Sequence, residues 1–90
     1  MAAKSIYTES YEFFLTLLIE ARKNAGLTQQ QLADLLNRPQ SYVSKYERGE
    51  RRLDVIEFLN ITKILNVDPV SILRKLLTAS RRPNTKKGGV

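Results

Sequence analysis

The sequence predicts an all-α fold of five helices, and three observations carry that reading. Apolar residues recur at helical spacing through the first segment, as Tyr11, Phe14, Leu15, Leu18, Ala21 and Ala25. Three helix starts are written out, as Thr28-x-x-Gln31, Asp54-x-x-Glu57 and Asp68-Pro69. Asn37, Pro39 and Gly49 fall where periodic runs stop, and each of these residue types ends or redirects a helix. No strand is needed anywhere.

The first helix is expected from Ser10 to Ala25. The second starts at Gln29, with Thr28 as its cap, Gln31 closing the box and Leu27 stapled onto Leu32. It carries Leu32, Ala33, Leu35 and Leu36 on one side and stops at Asn37, because Pro39 disfavours a helical Arg38. Pro39 is a good first residue for a third helix reaching about Arg48, which Gly49 ends. That helix has little apolar surface: Val43 and Tyr46, with Tyr42 at the margin. The fourth helix, Val55 to about Leu65, follows the Asp54 capping box, with Leu53 and Phe58 in staple positions. The fifth starts at Pro69 behind an Asp68 cap, with Val67 placed against Ile72, and reaches about Ala79.

Length and composition bound the function. Ninety residues, 42% hydrophobic, make one domain over residues 1–80 that can bury a single core without cross-links. With neither Cys nor His there is no disulfide framework, no usual zinc ligand set and no histidine base. An enzyme is not expected, and no cofactor or metal. The longest strongly apolar run, Phe13 to Ile19, is far too short to span a membrane, and Met1 to Ser5 lacks a signal peptide's apolar stretch. A soluble cytoplasmic protein is the expectation. Of the net charge of +6, Arg81, Arg82, Lys86 and Lys87 supply +4 within an acid-free segment, residues 81–90, expected to be a disordered basic tail. Such a tail either adds sequence-independent attraction for phosphate or merely solubilises the terminus. Within the body, Arg38, Lys45, Arg48, Arg51 and Arg52 stand against Glu47 and Glu50, a local +3 around the third helix.

At about 100° per residue, Ser41, Ser44, Lys45 and Arg48 share the side of the third helix away from Val43, with Gln40 at its tip. Groove reading needs these side chains: Gln bonds an adenine edge twice, Ser donates or accepts, and Lys or Arg reaches guanine or phosphate. A polar stripe alone is more often a solvated face. Here it follows a capped helix and a tight turn, and it leads into a basic exit.

Thr28-Gln29, Leu32-Ala33 and Gln40-Ser41-x-Val43-Ser44-Lys45-x-Glu47-Arg48-Gly49 resemble the Cro and lambda-repressor helix-turn-helix, the xenobiotic-response-element (XRE) family, with the motif over about residues 28–48. The resemblance runs from about Tyr11 to Leu77. It implies a compact five-helix lambda-repressor-like domain that docks in the major groove as a dimer. It implies base reading by Gln40, Ser41, Ser44 and Lys45. Gln29, with backbone N–H groups at its helix start, would touch phosphate, and Arg51 and Arg52 phosphate or the minor groove; Arg38 and Arg48 are further phosphate candidates. The chain departs from the family in carrying Arg38 and Pro39 where small hydroxyl residues are common, which removes a side-chain cap.

Arg22 lies inside the apolar stripe of the first helix, and an unpaired charge there is very costly. Glu47, bordering the apolar side of the third helix, is the candidate partner, in a structural pair that sets the angle of that helix. The alternative is that Arg22 snorkels to solvent. The fourth and fifth helices carry more apolar surface than the core should consume, so part of it is expected to meet a second copy of the chain. The expected interface is Ile64, Val70, Leu73, Leu76 and Leu77, with Phe13, which is out of phase with its own stripe. The resulting expectation is a homodimeric transcriptional regulator of bacterial or phage origin, a repressor of an inverted-repeat operator on double-stranded DNA. The alternative is an antitoxin or other module that masks a toxin or other protein partner, with DNA binding secondary.

Overall fold

The computed structural model describes residues 2–88, with side chains described for residues 9–79. Its helices are α1 (Ala2–Asn24), α2 (Gln29–Leu36), α3 (Gln40–Glu47), α4 (Val55–Leu65) and α5 (Pro69–Gly88), and there is no strand among the described residues. The first helix begins earlier than Ser10 because residues 2–9 hold neither Gly nor Pro, so nothing in them opposes the helix. Likewise α5 passes Ala79 and continues over most of the segment expected to be disordered, with Pro83 as the only breaker before Gly88.

Both capping boxes close. Gln31 N donates to Thr28 Oγ1 at 3.0 Å and Thr28 N to Gln31 Oε1 at 2.9 Å. At α4, Glu57 N donates to Asp54 Oδ1 at 2.8 Å and Asp54 N to Glu57 Oε1 at 3.0 Å. Val70 N donates to Asp68 Oδ1 at 3.0 Å at the start of α5. Pro39 sits one place earlier than expected, as the residue preceding α3, with extended backbone and no side-chain cap. Its fixed φ suits that position as well as the first helical one.

The first four helices stop by one device. Each is followed by a residue with positive φ, namely Gly26, Asn37, Gly49 and Asn66. The N–H one residue further on reaches back to the last turn: Leu27 to Arg22 O, Arg38 to Ala33 O, Glu50 to Lys45 O and Val67 to Thr62 O, at 2.9 to 3.2 Å. This is the Schellman arrangement, which satisfies carbonyls the helix leaves open.

The core gathers Leu18, Leu32, Ala33, Val43, Tyr46 and Ile61, all fully buried, and Phe14 meets Phe58 with ring centroids 5.4 Å apart. The longer α1 packs against α3 and α5, α2 against α3 and α4, and α4 against α5, so α3 is held at the edge of the bundle with one side free. Leu35, expected on the core side, is 58% exposed: it lies at one margin of the apolar arc of α2, and α2 turns the opposite margin, Ala33, inward. Ala25 is exposed because α1 has already ended. Tyr42 is buried rather than marginal, its ring edge-on to Tyr46 at 5.7 Å.

Two stability measurements follow. In αL a Cβ costs about 1–2 kcal/mol unless the residue is Gly or Asn, so Asn37→Ala and Asn66→Ala should each lose about that much in urea denaturation, and the Gly variants little. Tyr46 Oη is buried with no hydrogen-bond partner among the described residues, and burial drives its pKa well above the ordinary range. Tyr46→Phe removes that desolvation cost and should raise stability by about 1 kcal/mol.

Candidate nucleic-acid interface

With Tyr42, Val43 and Tyr46 turned into the core, α3 leaves Ser41, Lys45 and Arg48 exposed and Gln40 and Ser44 half-buried along one outer face. Behind that face lies a charged anchor. Arg22 is 8% exposed; its Nε and Nη2 donate to Glu47 Oε2 and Oε1 at 2.8 and 3.1 Å, and its Nη1 donates to the Leu27 carbonyl at 2.8 Å. One guanidinium thereby ties the end of α1, the loop before α2 and the end of α3. Hydrogen bonding to Glu47 raises the Arg22 pKa against the opposing effect of burial.

Two amides extend this anchor to the tip of α3. Gln29 Nε2 donates to Glu47 Oε1 at 2.8 Å, and Gln40 Nε2 donates to Gln29 Oε1 at 2.8 Å. Glu47 can only accept, so Gln29 must turn its NH2 inward and its oxygen toward Gln40. Among the described residues, Gln40 is left with its oxygen and one N–H unengaged, one acceptor and one donor. These match the N6–H donor and N7 acceptor of an adenine edge. The Gln29 side chain is taken up by this relay, so a phosphate at the start of α2 would meet backbone N–H groups rather than the amide.

The cations around α3 have partners as well. Arg48 forks onto Glu50 at 2.9 and 3.1 Å and donates to Ser44 Oγ at 2.6 Å, and both members of this pair are exposed. Arg51 forks onto Glu57 at 3.1 and 2.9 Å, and Arg38 Nη2 lies 3.9 Å from Glu57 Oε2. The guanidinium carbons of Arg38 and Arg51 stand 4.5 and 4.9 Å from the Tyr42 ring centroid, and that of Arg52 stands 4.3 Å from the Tyr11 ring. Hydrogen bonds from Arg51, then from the Asp54 N–H, hold the Glu57 carboxyl below its ordinary pKa. Among the described residues, Lys45 and Arg52 are the cations between residues 38 and 52 without a carboxylate partner. Tyr11, Glu50 and Glu57 were not in the sequence-derived site. Glu57 read only as a capping residue, because its contact with Arg51 crosses a loop and leaves no periodic trace.

A helix-turn-helix family model matches residues 18–72. A solved structure, an XRE-family like protein from Pseudomonas syringae pv. tomato str. DC3000, is 50% identical, with a TM-score of 0.81, over 87% of this chain and 95% of that one. No curated protein matches. The chain belongs to the XRE family of helix-turn-helix proteins. It is therefore a DNA-binding regulator in the broad sense, and α2 and α3 are the motif. Among the described residues no helix is long and apolar enough to cross a membrane.

The residues picked out for self-association divide. Val70, Leu73 and Leu77 are exposed, whereas Ile64 and Leu76 lean on the core and Phe13 is half-buried in a groove between α1 and α5. Further exposed apolar surface lies at the start of α4, at Val55, Ile56 and Leu59, rather than at its end.

Glu47→Gln strands a buried guanidinium. It should destabilise the protein by about 3 kcal/mol in urea denaturation, whereas replacing Arg22 and Glu47 together by Met and Leu should cost much less.

Proposed function

We propose that the chain is a homodimeric repressor that reads a short inverted repeat through α3. The observation that carries this reading is the Gln40 amide, held in one orientation by Gln29 and Glu47 at the N-terminal tip of a helix whose other side is core. Gln40, Ser41, Ser44 and Lys45 choose sequence. Lys45, Arg52 and the backbone amides at the start of α2 meet the phosphates, with Arg38 and Arg48 at the flanks and the basic residues Arg81, Arg82, Lys86 and Lys87 adding attraction for any sequence. Two copies joined through Val70, Leu73 and Leu77, with Phe13, would present two α3 helices about 34 Å apart, one turn of DNA.

A second reading, an antitoxin-like module that masks a protein partner and binds DNA secondarily, is favoured by the apolar side chains exposed at the start of α4 and along α5. Fluorescence anisotropy against duplexes from the region upstream of the gene, at about 150 mM salt with random competitor, separates the two. Tight binding to one duplex containing an inverted repeat, by a protein that sediments as a dimer, supports the repressor. Weak, salt-sensitive binding to every duplex, or a monomer at high concentration, supports the masking module.

On the first reading Gln40→Ala should cost about 1–3 kcal/mol on the best duplex and relax preference at one base pair. Arg52→Ala should instead weaken binding to all duplexes alike and flatten the salt dependence. An unchanged ranking of duplex variants by Gln40→Ala would remove its assigned role.

A further inference from the structure

Of the cations around α3, Arg51 is the one most fully engaged within the protein. Its Nη1 and Nη2 fork onto Glu57, and Nη1 also donates to the Arg52 carbonyl at 3.0 Å. Arg38 Nη2 stands 3.9 Å from the same carboxylate, and both guanidinium groups lie over the Tyr42 ring. A carboxylate gripped by one guanidinium fork with a second guanidinium beside it is held as two arginines hold a phosphate. The position fits that likeness, since Arg38 lies in the turn before α3, Tyr42 belongs to that helix and Arg51 follows it.

The neighbouring Arg48–Glu50 pair makes a useful contrast. More than half of each of its side chains is exposed, at 56% and 53%, so water and phosphate can displace the carboxylate at little cost. Glu57 has only 14% of its side chain exposed and cannot swing away with its arginine. Its backbone N–H and its Oε1 are both committed to Asp54 in the capping box that starts α4.

Resting on the DNA-binding reading above, we infer that Glu57 is an internal competitor for DNA phosphate that withholds Arg51 from the duplex and so holds down affinity for every sequence. Arg51 then works as a strut between the end of α3 and the start of α4, not as a phosphate contact. Base choice by Gln40, Ser41 and Ser44 is left untouched, because Glu57 hydrogen-bonds none of them.

Each phosphate neutralised on B-DNA adds about 0.9 to the slope of log K against log salt. Glu57→Gln keeps the capping box, since Gln serves at that position, but removes the competing charge. Titrating the full chain by anisotropy with its best duplex and with a random duplex, this variant should bind both more tightly at low salt. Its slope should be steeper than the wild type's by about 0.9, a roughly threefold greater loss of affinity between about 50 and 200 mM salt. The double variant Arg51→Gln/Glu57→Gln should return to the wild-type slope. An unchanged or shallower slope for Glu57→Gln overturns the inference. So does a double variant shallower than wild type by about 0.9, which would place Arg51 on a phosphate with Glu57 still present. If thermal denaturation shows Glu57→Gln unfolded, the double variant decides alone. A wild-type chain that binds no duplex even at low salt overturns the DNA-binding reading and this one together, whereas a failed slope in a chain that binds overturns this one only.

Discussion

Arg22 and Glu47 form the contact on which the placement of α3 depends. A helix as short as α3, with three side chains in the core, has little burial of its own to fix how it lies against the bundle. The pair supplies direction as well as attraction. A planar guanidinium meets a carboxylate in a fork, and its remaining arm takes the Leu27 carbonyl, so α1, the turn before α2 and the end of α3 are set in one geometry. Burying two charges is costly, and a hydrophobic pair of similar volume could match its stability. What such a pair could not do is orient Gln29. Glu47 accepts from Gln29 and Gln29 accepts from Gln40, so the polarity of a half-buried surface amide is decided by a buried ion.

The same principle recurs across the motif. A basic patch suited to a polyanion needs only cations, yet three carboxylates lie within it or beneath it, and each holds a different part. Glu47 orients the amides, Glu50 holds Arg48 against Ser44, and Glu57 gathers Arg51 and Arg38 around Tyr42. Long cationic side chains lose rotamer freedom when they bind, and prior placement by an exposed, displaceable carboxylate, as of Arg48 by Glu50, removes part of that loss. It also lowers the positive field an approaching duplex meets, which shifts the balance from charge toward the fit of side chains to bases.

Much of this was legible in the chain because it is local. The capping boxes at Thr28 and Asp54 use residues three apart, so sequence spacing alone places them, and the ends at Asn37 and Gly49 follow from which residues tolerate positive φ. The outer face of α3 followed from phase. Even the partner of Arg22 could be inferred, since a charge inside an apolar stripe leaves few places for its counterion. Other features resisted for equally physical reasons. Leu35 and Ala33 occupy opposite margins of one apolar arc, and periodicity cannot say which margin a neighbour will cover. Tyr42 is marginal by phase for the same reason, and it is Arg38 and Arg51 that close over it. The extents of α1 and α5 were underestimated because helix signals mark starts and stops, and where neither is present the chain simply continues.

What the sequence determined by itself was the set of helices, the motif they form and the chemistry of the exposed α3 face, because caps, turns and helical phase act over a few residues. The tertiary structure alone decided how those residues are held. The bonds of Glu57 to Arg51 and of Gln40 to Gln29, and the seating of Arg52 over Tyr11, join residues whose separation carries no pattern, and they exist only once α1, α2, α3 and α4 are packed. Whether a cation is free or engaged within the protein is set by the nearest carboxylate, and nearness is a property of the fold.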